Sequence, residues 1–233
     1  MKRGVVLAPS LLAVLACLAL PARPDDAARE AGPVELSSIG DLNTHILAVV
    51  QSYPLNGVHV FHWPKSGGWE GTTRDLFWGG QKLASGDPQG RCYCCGLVYE
   101  VWVRALERAL GATSHPDLTP ETMREARLRF FGDSKAGERR KLVAFALPSL
   151  KLGKAIEERE EARAGDLVQF WRHGGSGHQA VFVNWVYRKG QIVGLTYWST
   201  QTSTRGIGYH TEMIGPEGIK DDEVYVGRAG WWR

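Results

Sequence analysis

The sequence predicts one α+β domain, with helices leading and a meandering antiparallel sheet following. Three observations carry that prediction. Apolar residues recur at steps of three and four from Cys94 to Ala109. Thr119-Pro120-Glu121 is a helix-start signature. From Asp166 to Arg228 the chain runs in short stretches rich in Val, Phe, Trp and Tyr, broken by Gly-bearing turns. Helical periodicity that gives way to β-rich runs describes helices packed on a sheet, not alternating βαβ units.

The elements follow in order. Ile39, Leu42, Ile46 and Val49 are at helical spacing, so Ser38 to Val50 is read as a short helix. Residues 54–90 are rich in Gly, Pro and Trp with no period, which predicts a long functional loop. The next helix starts at Cys94. Its apolar stripe is Cys94, Leu97, Val98, Val101, Trp102, Ala105, Leu106 and Ala109, with Glu100, Arg104, Glu107 and Arg108 on the opposite face and Gly111 as the stop. Thr119 caps a second helix with Pro120 in its first position, and Gly132 ends it. A third is expected over Glu138 to Leu147, before Pro148, and the charged stretch Lys154 to Ala164 reads as solvated surface. Strands are expected at Asp166–Trp171, Gln179–Tyr187, Gln191–Gln201, Gly206–Ile214 and Glu223–Arg228, with a hairpin turn at Arg188-Lys189-Gly190.

Composition narrows the class. A chain of 233 residues, 43% hydrophobic and 23% charged, has an ordinary globular mix, which excludes a wholly disordered or multi-span membrane protein. A net charge of +3 is too small to argue for a nucleic-acid partner. Met1-Lys2-Arg3, the uncharged apolar run Gly4–Leu20 and Pro21-Ala22-Arg23-Pro24 make the three-part pattern of a secretory signal peptide. The expected organisation is a signal peptide over 1–22, a flexible lead-in over 23–35 and a single domain over 36–233. The destination is secreted or periplasmic, with no integral membrane domain, and the domain is expected to be a monomer. Val14-Leu15-Ala16-Cys17 is a loose lipobox, which leaves a lipoprotein anchored through Cys17 open.

Three further cysteines, Cys92, Cys94 and Cys95, fall inside four positions. A disulfide-stapled exported domain spreads an even number along the chain. This cluster does not, and a left-over thiol outside the cell calls for a reason. Cys94 opens an amphipathic helix, where free amides and the positive end of the helix dipole favour a thiolate. His178 follows the turn Gly174–Gly177 and begins a strand, so it is the candidate base. Tyr197, Ser199 and Gln201 share one face of the next strand, and Gln201 or Ser199 is the candidate orienter of the imidazole.

These residues carry a family resemblance. Tyr93-Cys94-Cys95-Gly96-Leu97-Val98 resembles the Asp-Cys-Ser-Gly-Leu-Val signature of the NlpC/P60 cysteine peptidases. Phe77-Trp78-Gly79-Gly80 resembles that family's Tyr-x-Trp-Gly-Gly approach to the nucleophile, and Ala164–Phe170 its Pro-Gly-Asp-Leu-Val-Phe-Phe strand. Gly177–Val183 resembles its Ser-His-Val-Gly-Ile-Tyr-Ile segment. The four stand in the family's order across residues 76–200. The resemblance implies a papain-like fold with Cys94 as nucleophile, His178 as base and a third polar residue, here Gln201. It implies an oxyanion site at the Cys94 amide, no cofactor and no metal. Trp78, Tyr93 and Ser199 are the substrate-binding candidates, and Trp63 and Trp69 join Trp78 as candidates for an aromatic cleft wall. The family cuts amide bonds in the stem peptides of bacterial cell walls, and export fits that substrate.

The chain departs from the pattern at Tyr93, Cys95 and Leu76, which leaves the stem-peptide specificity open. The CHAP amidases share the Cys-then-His order and are the neighbouring branch. Two other classes stay open: a wall-binding module without turnover on the same fold, and a thiol-redox or metal protein built on Cys92, Cys94 and Cys95.

Overall fold

The computed structural model describes residues 34–55, 57–64, 69–135 and 138–231. The expected signal peptide and all but the end of the expected lead-in lie outside them. The fold is α+β, with four helices and a six-stranded antiparallel sheet. The helices are α1 (Asn43–Gln51), α2 (Cys94–Leu110), α3 (Pro120–Phe131) and α4 (Val143–Ser149). A two-stranded hairpin is formed by β1 (Leu76–Trp78) and β2 (Gln81–Ala84). The large sheet comprises β3 (Gly153–Ile156), β4 (Leu167–Arg172), β5 (Gly177–Arg188), β6 (Gln191–Gln201), β7 (Gly206–Met213) and β8 (Ile219–Ala229).

Start and stop chemistry explains the two best-defined helices. Thr119 Oγ1 accepts the Thr122 N–H at 3.2 Å, Pro120 takes the first turn, and Gly132 closes α3 at φ +74°. Gly111, at φ +64°, terminates α2. The first predicted helix is shorter than expected: Gly40 at φ +68° separates a 3₁₀ turn at Leu36–Ser38 from α1. The third starts five residues later than expected and carries Pro148 inside it.

The sheet corrects the sequence reading in three places. Its order is β3-β8-β4-β5-β6-β7, so β4 to β7 meander but β8 returns to pair with β4. The charged stretch after Lys154 includes strand β3, and only Arg159–Glu161 is helical, as one 3₁₀ turn. The long loop contains the β1–β2 hairpin, turned at Gly79 and Gly80 with φ +54° and +74°.

Both faces of the sheet are packed. Leu167, Val181, Trp198 and Ile207 join the helices in the larger core, and α2 rests on β5 and β6. Val168, Phe170, Ala180, Phe182, Leu195 and Tyr197 make a second core on the other face, which follows from the period-two alternation of strand side chains. A buried ion pair ties the sheet's return strand to the turn before β4. Arg228 Nε and Nη2 each donate to Asp166 at 2.7 Å, and Asn43 Nδ2 and the Arg163 N–H complete the carboxylate's partners at 2.8 and 2.9 Å.

One helix face differs from expectation. Glu100, read as solvent-facing, is fully buried. Its carboxylate accepts the Tyr53 hydroxyl at 2.6 Å and the Thr73 N–H and hydroxyl at 2.6 and 2.7 Å. The loop at 70–74 covers that face of α2, and a buried carboxylate is kept by such partners.

Candidate active site

The segment ahead of α2 is held on both sides. The Cys92 N–H donates to the Val60 carbonyl at 3.1 Å and the His62 N–H to the Cys92 carbonyl at 2.9 Å. This pairing brings Trp63 to the start of α2. The Tyr93 N–H donates to the Gly71 carbonyl at 3.2 Å. At Gly96 a Cβ would stand 2.3 Å from the Glu70 carbonyl oxygen, so the first turn of α2 lies directly against the 70–71 backbone. The glycine of the Cys-Cys-Gly-Leu-Val stretch is therefore a close-approach residue.

Cys94 is the first residue of α2, and Tyr93, its N-cap, has no side-chain oxygen bonded to the helix terminus. The N-cap side chain leaves the amides of that first turn uncapped, those of Cys95 and Gly96 facing the Cys95 sulfur, next to the half-buried Cys94 thiol. The neighbouring Cys95 thiol, then the His178 imidazole and the Gln179 N–H, hold the Cys94 thiol well below its ordinary value, while burial acts in the opposite direction. Cys95 goes the other way, pushed up by burial. Burial also pushes Cys92 up, to about 12. All three are free thiols.

His178 stands at the start of β5, buried, with its ring 5.5 Å from Phe170 and 5.4 Å from Tyr197. Among the described residues its buried Nε2 has no hydrogen-bond partner. Cys94 and His178 line two adjoining hollows. One, of about 190 Å³, is walled by Trp63, Phe130, Phe131, Leu142 and Trp171. The other, of about 350 Å³, is more polar, with Arg172, Ser176, Gln201, Thr202 and Ser203. The thiol and imidazole thus sit between an aromatic slot and a hydroxyl-rich trough.

The other sequence candidates are distributed differently. Gln201 reaches the trough, but its amide is engaged elsewhere: Nε2 donates to Ser203 Oγ at 2.8 Å and Oε1 accepts from Tyr197 Oη at 2.9 Å. Ser199 is buried and its hydroxyl donates to the Gln179 carbonyl at 2.7 Å, so it fastens β6 to β5. Trp78 is a core residue, fully buried, with Nε1 donating to the Leu118 carbonyl at 2.6 Å. Tyr93, a substrate-binding candidate, is buried, its ring 4.6 Å from Trp63, 5.3 Å from Trp69 and 5.9 Å from Phe131. Of the three loop tryptophans, Trp63 lines the hollows and Trp69 backs it by stacking on His62.

Sequence reasoning missed the far wall of the slot, Phe130, Phe131, Leu142 and Trp171. The β-period of Gln169 and Trp171 was the one available signal for that face. It also missed a polar cluster beside His178. Arg172 Nε and Nη2 clamp Glu212 at 2.5 and 2.7 Å, and Tyr197 Oη lies 3.0 Å from Glu212 Oε2. Among the described residues, no group of three or more His, Cys, Asp or Glu is placed to hold a metal ion, and no helix is long and apolar enough to cross a membrane. No protein-family model, curated protein or solved structure matches the chain.

Proposed function

We propose that the protein is a cysteine amidohydrolase of papain-like, NlpC/P60-type architecture that transfers an acyl group through Cys94. The observation that carries this reading is the half-buried Cys94 thiol, held below its ordinary value at an uncapped helix start, beside the His178 imidazole. In this reaction the Cys94 thiolate attacks the carbonyl carbon of an amide. The oxygen takes the negative charge and is met by the amides of the first turn of α2. Protonated His178 gives its proton to the leaving amine as the C–N bond breaks, and a thioester remains on Cys94. Water, deprotonated by His178, then attacks the thioester, releasing the carboxylic acid and restoring the thiol. The two hollows flank the reacting pair, as an extended amide substrate needs on its acyl and amine sides. A bacterial cell-wall stem peptide is the substrate class the sequence resemblance supports, and an exported protein would meet it.

The test compares the purified protein with Cys94→Ala and His178→Ala variants on purified cell-wall sacculi, with released fragments identified by mass spectrometry. Iodoacetamide labelling of each thiol is followed against pH in the same samples. Fragments from the parent and from neither variant, with Cys94 labelling fast well below a normal thiol value of about 8.5, are the expected result. Slow labelling of Cys94 together with no fragments refutes the reading and puts the wall-binding module ahead.

A further inference from the structure

We propose that Glu212, held by Arg172 and joined to the His178 ring through Tyr197, is the positioning residue of the Cys94–His178 pair, in place of the expected Gln201. This rests on the catalytic reading above. The argument begins with His178. Among the described residues its buried Nε2 has no hydrogen-bond partner, so no described neighbour on β6 bonds that nitrogen and sets the ring. Gln201, the polar residue expected there, has its amide engaged with Ser203 and Tyr197. What the ring does have is an aromatic seat, Phe170 at 5.5 Å and Tyr197 at 5.4 Å, in the second core of the sheet.

The hydroxyl of that same Tyr197 lies between Gln201 Oε1 at 2.9 Å and Glu212 Oε2 at 3.0 Å. The carboxylate is fixed in turn by the two-pronged Arg172 guanidinium from β4. Strands β4, β6 and β7 therefore each contribute one member of a rigid polar cluster beneath the imidazole. Burial is the largest influence on the Glu212 carboxyl and pushes it up, but the Arg172 guanidinium, the Tyr197 hydroxyl and, last, the His178 ring together hold it below its ordinary value, so Glu212 and His178 are close enough to interact electrostatically. Among the described residues, the ionisable groups placed with His178 are Cys94 from α2, Tyr197 from β6 and Glu212 from β7, with Cys95 and Arg172 lining the same hollows and His210 one ring further, against Tyr197. Glu212 is the carboxylate of that set. It stabilises the charged imidazole that the Cys94 thiolate needs opposite it.

The sign of the effect separates this role from its alternatives. A carboxylate acting directly on the thiolate repels it, so its removal lowers the pH at which Cys94 ionises. A carboxylate acting through His178 supports the thiolate, so its removal raises that pH. A purely structural residue changes stability and leaves the midpoint where it was. The experiment measures iodoacetamide alkylation of Cys94 against pH, by peptide mass spectrometry, in the full-length parent, Glu212→Gln, Glu212→Asp and Tyr197→Phe, with circular dichroism to establish folding. The expected result is an upward move of the Cys94 midpoint by about one pH unit in Glu212→Gln, a smaller move the same way in Tyr197→Phe, and recovery in Glu212→Asp. Should Glu212→Gln not fold, Tyr197→Phe carries the same sign test. A folded variant whose midpoint is unchanged or lower overturns the positioning role while the parent's low midpoint leaves the catalytic reading standing. A parent in which Cys94 labels no faster than an ordinary thiol overturns both.

Discussion

Replacing Gly96 with alanine tests whether the start of α2 is as tightly seated as the nucleophile requires. The added Cβ would lie 2.3 Å from the Glu70 oxygen and 2.4 Å from the carbonyl carbon and oxygen of Gly71. Ordinary contacts of a carbon sit near about 3.5 Å, so the gap must open by about 1 Å. All three opposing atoms are backbone, and no side chain can swing aside. Overpacking of this kind costs about 1–3 kcal/mol. The first turn of α2 carries Cys94, and a displacement of about 1 Å at a reacting group can cost about 10²-fold in rate. Gly96→Ala is therefore expected to lose stability and, more sharply, fast alkylation at Cys94. Gly111→Ala is the control: it sits at the far end of α2 with nothing within 4 Å of the new Cβ, and its φ of +64° makes the cost one of backbone strain alone, about 1 kcal/mol. Urea unfolding and Cys94 alkylation are measured on both. Should Gly96→Ala keep the parent's stability and alkylation rate, the seating of α2 on the 70–71 backbone is not what places the thiol, and the reasoning fails.

Three further outcomes are expected of the folded protein. Asp166→Ala leaves Arg228 buried without its partner, and its urea unfolding should show a loss of about 3–5 kcal/mol. Cys92, fully buried and pushed up to about 12, should resist alkylation up to pH 9 in the folded protein and react at an ordinary rate once the chain is unfolded in urea. Asp87 is held down at about 2, chiefly by Arg91, whose Nη2 lies 2.7 Å away. A carboxyl depressed on folding contributes stability that is complete above its unfolded value, about 3.9, and is lost as pH falls towards the folded one. Asp87→Asn should therefore lose less stability than the parent between pH 5 and pH 2.5, and equal losses would count against the pair.

How much was legible in the sequence depended on how local the cause was. The ends of α2 and α3 were readable because Thr119, Pro120, Gly111 and Gly132 act within one turn of themselves. The β1–β2 hairpin was hidden because Trp78 and Gly79-Gly80 look like loop composition until Trp78 is seen in the core. Strand β3 was hidden because Gly153–Ile156 lies at the edge of the sheet, where its exposed Lys154 reads as surface. Glu100 was misplaced because helical periodicity reports polarity, not what another segment lays over it. In the site, Cys94 and His178 were readable from their immediate surroundings, a helix start and a strand start. Trp78 and Tyr93 stand out through the family pattern and Ser199 through the strand face it shares with Gln201, while the structure buries each against a partner from elsewhere in the chain. Arg172 and Glu212 are 40 residues apart and meet because β4 and β7 lie three places apart in a curled sheet. No spacing in the sequence encodes that meeting.

The three clustered cysteines bear on the choice between acyl transfer and a thiol-redox or metal site. A redox pair or a metal centre needs its sulfurs to converge. Here the chain changes from extended pairing to helix within four residues, and that change puts Cys92 in the core while the Cys95 thiol stays within hydrogen-bonding reach of Cys94. Cys92 is fixed in an extended segment between Val60 and His62 and is fully buried. Cys95 is about 100° round the helix from Cys94 and faces inward, buried. Cys94 and Cys95 both border the aromatic slot, but of the three only Cys94 also borders the polar trough, and its thiol is held down where the other two are pushed up. Burial alone would have pushed all three in the same direction. The opposite displacement of Cys94 requires donors aimed at its sulfur, which Cys95, His178 and the Gln179 N–H supply. Cys95 thus serves its neighbour as a hydrogen-bond donor rather than as a second nucleophile. On that account Cys95→Ser, which keeps a donor, should preserve most of the fast alkylation at Cys94. Cys95→Ala should raise the pH at which it begins, and identical pH profiles for the two variants would count against the account.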